Sequence, residues 1–74
     1  MSERTRKQLN YTIACIHDFA RKNGMTQRDA YLYLNKYQGL SFLIDCYEAE
    51  HTLSIENALD DMKTVCKRNG GSLL

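Results

Sequence analysis

Residues 20–29, Ala20-Arg21-Lys22-Asn23-Gly24-Met25-Thr26-Gln27-Arg28-Asp29, decide the fold. Asn23-Gly24 is a helix stop, because both residues accept the left-handed backbone with which many helices end. Thr26 then starts a second helix. Its hydroxyl suits an N-cap, and Asp29, three residues on, stands in a capping-box-like position where its negative charge meets the positive end of the helix dipole.

Upstream of this break the apolar residues repeat at helical spacing. A first helix is expected from about Glu3 to Lys22, with Leu9, Ile13, Ile16 and Ala20 on one stripe and Thr12, Cys15 and Phe19 widening it. Downstream, helix two carries Ala30, Tyr33, Leu34 and Tyr37 on one face, while Tyr31 and Leu32 point elsewhere. Gly39 reads as its end. Ser41 then suits the cap of a short third helix, Phe42 to about Ala49, whose Phe42, Leu43, Ile44, Cys46 and Tyr47 surround much of the axis and so belong in the centre. Ser54 caps the last helix, with Ile55, Ala58, Leu59, Met62, Val65 and Cys66 as its stripe. Lys67 and Arg68 favour its negative end, and Asn69-Gly70 stops it.

The chain has no proline and only four glycines, and no stretch alternates like a half-buried strand. The expectation is an all-α fold: a compact bundle of four helices, the third short and buried. It forms one domain over residues 1–74, with an ordered core at 3–69 and a flexible tail at 70–74.

A chain of 74 residues buries only about 60% of the surface its unfolded form exposes, so its stability margin is thin. The formal charge of +1 argues against the strong basic field that supplies most non-specific affinity for nucleic acid. Charge is nevertheless uneven along the chain. Arg4, Arg6, Lys7, Arg21, Lys22, Arg28 and Lys36 lie in the first half, and Asp45, Glu48, Glu50, Glu56, Asp60 and Asp61 crowd the second, so the two halves can attract each other. Three cysteines, an odd number without dense pairing, suit free thiols in a reducing cytosol rather than a disulfide scaffold. The polar N-terminus reads as neither signal peptide nor anchor, and no stretch approaches the roughly 20 apolar residues that span a bilayer. The expected location is the cytoplasm, away from membranes.

Three pieces of the sequence carry a family likeness: Lys36-Tyr37-Gln38-Gly39-Leu40-Ser41-Phe42-Leu43, then Cys46-Tyr47-Glu48-Ala49-Glu50-His51-Thr52-Leu53-Ser54, then Asp60-Asp61-Met62. In order and spacing the chain resembles the bacterial family called domain of unknown function 3791, over roughly Ile13 to Gly71. The segment around Tyr47, His51 and Thr52 is the most specific part of the likeness. The family has no established activity. The resemblance implies a partner or regulator role beside ADP-ribosyltransferase-like products of neighbouring genes.

The residues themselves offer little chemistry. Cys15, His17, Cys46, His51 and Cys66 could in principle ligate zinc, but Cys15 and His17 diverge on a helix, and there is no Cys-x-x-Cys or His-x-x-x-His pair. Neither a metal nor another cofactor is expected. His51 falls past the short third helix, where an imidazole suits the negative helix end better than it suits base catalysis. Asp60 and Asp61 are adjacent, about 100° apart on a helix, and read as solvated. There is no Gly-rich phosphate loop.

Two interaction readings remain. Ala20 and Gly24 at the break, followed by Gln27, Arg28, Asn35 and Lys36, loosely resemble a helix-turn-helix that reads DNA from the start of helix two. The favoured reading rests on the five tyrosines. Tyr33, Tyr37 and Tyr47 fit the core or its edge, whereas Tyr11 and Tyr31 fall off the principal stripes, and aromatic rings with a polar tip favour interfaces. The candidate contact surface is therefore Tyr31 and Leu32, then Tyr11, rimmed by Arg28 and Lys36. The sequence is expected to encode a non-enzymatic module that binds a protein partner or itself.

Overall fold

The structure, a computed structural model, describes residues 2–71. Ser72, Leu73 and Leu74, the end of the expected tail, lie outside the described residues. The chain is all-helical: helices account for 79% and no strand occurs among the described residues. The elements are α1 (Glu3–Lys22), α2 (Gln27–Lys36), α3 (Gly39–Asp45), α4 (Tyr47–Glu50) and α5 (Ile55–Arg68).

The break at 23–26 forms as its residues dictate. Gly24 adopts φ 64°, and the Met25 N–H returns to the Ala20 carbonyl at 2.9 Å, which closes α1 with the six-to-one bond of a Schellman turn. The Thr26 hydroxyl accepts the Asp29 N–H at 3.1 Å, and Ser54 does the same for Asn57 at 3.2 Å at the head of α5. The C-terminus of α5 repeats the first motif. Gly70 turns left-handed at φ 91°, and the Gly71 N–H bonds to the Cys66 carbonyl at 2.8 Å. Gly71 is buried and packs so tightly that a Cβ there would stand 2.8 Å from the Tyr37 ring.

Between α2 and α5 the structure corrects the expected boundaries, because five helices replace four. Gly39 does not close α2. The left-handed residue is Gln38, at φ 70°, and Gly39 opens α3 instead. Glycine is needed there for space rather than for backbone freedom: a Cβ would meet Cys66 Sγ at 2.6 Å and Leu34 Cδ2 at 3.0 Å. Ser41 therefore lies inside α3 and caps nothing. The expected single third helix divides at Cys46, which is the C-cap of α3 and the N-cap of α4. There the backbone leaves helical values, at φ −104° and ψ 19°, so the helical path breaks and resumes rather than running unbroken to Ala49. The third helix is also less enclosed than expected. Leu43 is fully buried, but Ile44 is 46% exposed.

α1 packs chiefly on α2, and α3 chiefly on α5. The core joins Cys15 and Phe19 of α1, Ala30 and Leu34 of α2, Leu43 of α3, and Ala58, Leu59, Met62 and Cys66 of α5. Phe19 stacks on Tyr33 at 5.9 Å between ring centroids. The opposite charges of the two halves meet within the chain: Arg4 pairs with Glu48, and Lys22 lies 3.8 Å from Glu56 and 3.5 Å from Asp60. These pairs are exposed, so each adds little to stability.

Candidate functional site

Helix periodicity assigns α1 an apolar stripe wider than its neighbours can cover. Leu9 and Ile13, expected in the core, are 45% and 53% exposed. The reason is the inward pull of Thr12, Cys15 and Phe19, all buried, which turns the flank carrying positions 9 and 13 outward. On α2 the burial of Ala30 and Leu34 turns Tyr31 and Leu32 out in the same way, to 45% and 51% exposure.

These two flanks face the same side of the hairpin. The Gln27 amide meets the His17 ring nitrogen across it. One helical turn back from His17 is Ile13, and one turn on from Gln27 is Tyr31, so both continue along that side. A cleft of about 200 Å³ carries the surface on to α3, lined by Thr5, Gln8, Leu9, Thr12 and Ile44. Gln8 fixes that junction by donating to the Ile44 carbonyl at 3.1 Å. The outer surface thus exposes Ile13 and Leu9 on α1, Tyr31 and Leu32 on α2 and Ile44 on α3, with Leu9 and Ile44 lining one cleft and Arg28 and Lys36 also exposed on α2. Lys36 lies over the Tyr37 ring, 5.3 Å from its centroid.

Tyr11 stands apart from this face. It is half-buried, its hydroxyl donates to the Glu50 carbonyl at 3.0 Å, and its ring meets Tyr47 edge-on at 5.5 Å. Tyr11 thus ties α1 to α4.

The motif segment Tyr47, His51 and Thr52 spans α4 and the turn that follows it. His51 is exposed. It stacks on Tyr47 at 4.5 Å and its Nδ1 donates to the Tyr47 carbonyl at 2.6 Å, which requires the proton on that nitrogen. The Thr52 hydroxyl donates to the Ala49 carbonyl at 2.7 Å. The His51 and Thr52 side chains thus satisfy two carbonyls of α4.

Asp60 and Asp61 do not share a fate: Asp60 is exposed near Lys22, while Asp61 is half-buried. Asp61 instead meets Glu50, a buried carboxyl on α4. Burial, and then the neighbouring Asp61 carboxyl, push the Glu50 carboxyl above its ordinary range. The pair joins residues of two different helices, so adjacency in the sequence does not reveal it. The signal was present, since Leu43, Cys46 and Glu50 continue one inward stripe at intervals of three and four residues.

Cys15 and Cys66 are fully buried. Burial pushes both thiols up, away from the reactive thiolate form. Among the described residues no three His, Cys, Asp or Glu side chains are grouped so as to hold a metal ion. Nor is any helix there long and apolar enough to cross a membrane.

Fold and surface together define a small all-helical domain with an uncovered apolar side. The chain belongs to the family described as Protein of unknown function (DUF3791), whose profile matches residues 10–69. No curated protein and no solved structure matches it.

Proposed function

We propose that this chain is a non-enzymatic protein-interaction module whose outer α1–α2–α3 face docks on a second copy of itself or on the product of a neighbouring gene. The observation that carries this reading is the exposure of Leu9, Ile13, Tyr31, Leu32 and Ile44, each between 45% and 53%, in a chain too small to waste apolar residues. Single exposed apolar side chains are ordinary on a protein surface, whereas several large ones on packed helices, an aromatic among them, are what interfaces draw on. Arg28 and Lys36 serve as a polar rim, which adds orientation more than affinity. Three free cysteines suit a reducing compartment, and the cytoplasm is the proposed location.

The test is alanine substitution of Tyr31 and Leu32, singly and together, with association measured by sedimentation. The double variant is expected to lose association while keeping the wild-type helical circular dichroism. Association unchanged in the double variant refutes the reading. A chain that instead binds DNA, with Arg28→Ala weakening the complex and salt reducing affinity steeply, belongs to the nucleic-acid reading.

A further inference from the structure

Away from the outer face, α3, α4 and α5 enclose a second cleft of about 330 Å³, lined by Phe42, Glu50, Asp61, Thr64, Val65 and Arg68. Its chemistry is one-sided. Glu50 is 6% exposed, and its Oε1 is sealed from water with no hydrogen-bond partner among the described residues. The Asp61 carboxyl stands beside it. The Thr64 hydroxyl donates to the Asp60 carbonyl at 3.0 Å, which leaves its oxygen facing outward only as an acceptor. The remaining wall is the Phe42 ring and the Val65 side chain. Apart from the exposed Arg68 guanidinium the lining offers no free side-chain hydrogen-bond donor, and none is bonded to Glu50 Oε1, whose lack of a partner in a buried position is costly.

The only cation in the lining is Arg68, seven residues along α5 from Asp61. It is exposed and has no ion pair among those found in the described residues. A bare metal ion fits poorly, since two carboxylates are too few ligands and no third acidic, histidine or cysteine side chain joins them among the described residues. A planar group with several donors fits better, because it can bridge two carboxylates with its edge and lie against an aromatic ring with its face.

We propose that this cleft binds a guanidinium group, with Glu50 and Asp61 as its carboxylate anchors and Phe42 as its stacking wall. The guanidinium belongs either to a free small molecule or to an arginine side chain of another protein. Binding takes the place of a proton held by the carboxyl pair: the protonated pair and the guanidinium cation give the bound ion pair and one released proton. Affinity therefore rises with pH as that proton is lost. The groups around Glu50 are Asp61 and Arg68 from α5, Tyr11 and Cys15 from α1, and Tyr47 from its own helix, with His51 next in the chain but directed at the Tyr47 carbonyl. Burial raises both Tyr11 and Cys15, so neither supplies the proton, which comes from the raised Glu50 carboxyl. The site uses none of the residues of the outer face and stands whether or not that face docks on a partner.

The experiment is a two-dimensional amide NMR titration of the whole chain with methylguanidinium and, in parallel, with arginine blocked at both ends. Saturable shifts at Phe42, Asp61, Thr64 and Val65 are expected, with affinity tighter at pH 7.5 than at pH 5. Glu50→Gln, which keeps shape and folding, should lose at least nine-tenths of the affinity and the pH dependence with it, which assigns that dependence to Glu50. Arg68→Ala should tighten binding by removing the competing cation. Tighter binding of blocked arginine than of methylguanidinium identifies a protein side chain as the source, and equal binding identifies a free cation. Absence of saturable shifts at tens of millimolar of either probe, or equal shifts in Glu50→Gln, overturns the proposal.

Discussion

The α1–α2 hairpin has two apolar sides, and they do different work. Its inner side holds Cys15, Ala30 and Leu34 at 0% exposure and Phe19 at 1%, whereas its outer side leaves Leu9, Ile13, Tyr31 and Leu32 between 45% and 53% exposed. The residue types hardly differ. What differs is the partner, since α3 and α5 cover the first side and none of the described helices fully covers the second. Apolar area removed from water stabilises the chain by about 25 cal/mol per Å². The inner residues have already contributed that to folding, and the outer ones retain much of theirs for association. Substitutions can therefore separate stability from binding.

The largest loss of stability is expected on the inner side. Leu34→Ala should cost about 2–5 kcal/mol in a urea or thermal melt, because the cavity is enclosed by core residues that cannot collapse into it. In a domain this small such a loss approaches the whole stability of the fold. Gly39→Ala should cost roughly 1–3 kcal/mol, since the new methyl must displace Cys66 and Leu34 in a closed interior. The same melts should give Tyr31→Ala and Leu32→Ala within about 0.5 kcal/mol of the wild type, with association as the property that changes. An outer-side variant as unstable as Leu34→Ala would erase the distinction between the two sides.

Glu50→Gln sharpens the account through its sign. Burial raises the Glu50 carboxyl in the fold above its ordinary value of 4.5, so folding favours the protonated form. The stability this group contributes is fully present below about pH 4.5 and is lost as pH rises through the raised value. The glutamine variant, a permanent mimic of the protonated acid, should melt above the wild type at pH 7, and the gap should close as pH falls toward 4. A gap independent of pH would show that Glu50 is not the titrating group.

Much of the fold is legible in the sequence, because caps and stops act locally. Ser2 was not anticipated as the cap of α1, yet its hydroxyl accepts the Thr5 N–H at 3.1 Å. The bounds of α1 nonetheless follow from spacing and from Asn23-Gly24. Thr26, Ser54 and Gly70 act as their chemistry demands. Gly39 misled for a physical reason: a glycine that stops a helix and one that admits a neighbouring helix look alike in sequence, and only the approach of Cys66 tells them apart. Leu9 and Ile13 misled because a stripe of seven positions, six of them apolar, does not say which flank lacks a partner. Of the candidate surface, Tyr31 and Leu32 were legible from their positions off the stripe of α2. The internal tie of Tyr11 to Glu50 joins residues 39 apart, and no local pattern announces it.

The most direct test of the central claim is the mass of the protein in solution, measured by sedimentation both for the isolated chain and after co-purification from its native cell, in the wild type and in the Tyr31→Ala, Leu32→Ala double variant. The account predicts a dimer or a defined complex for the wild type and a bare monomer for the variant. A wild-type chain that stays monomeric and alone in both preparations, or a variant with the same mass as the wild type, would contradict it.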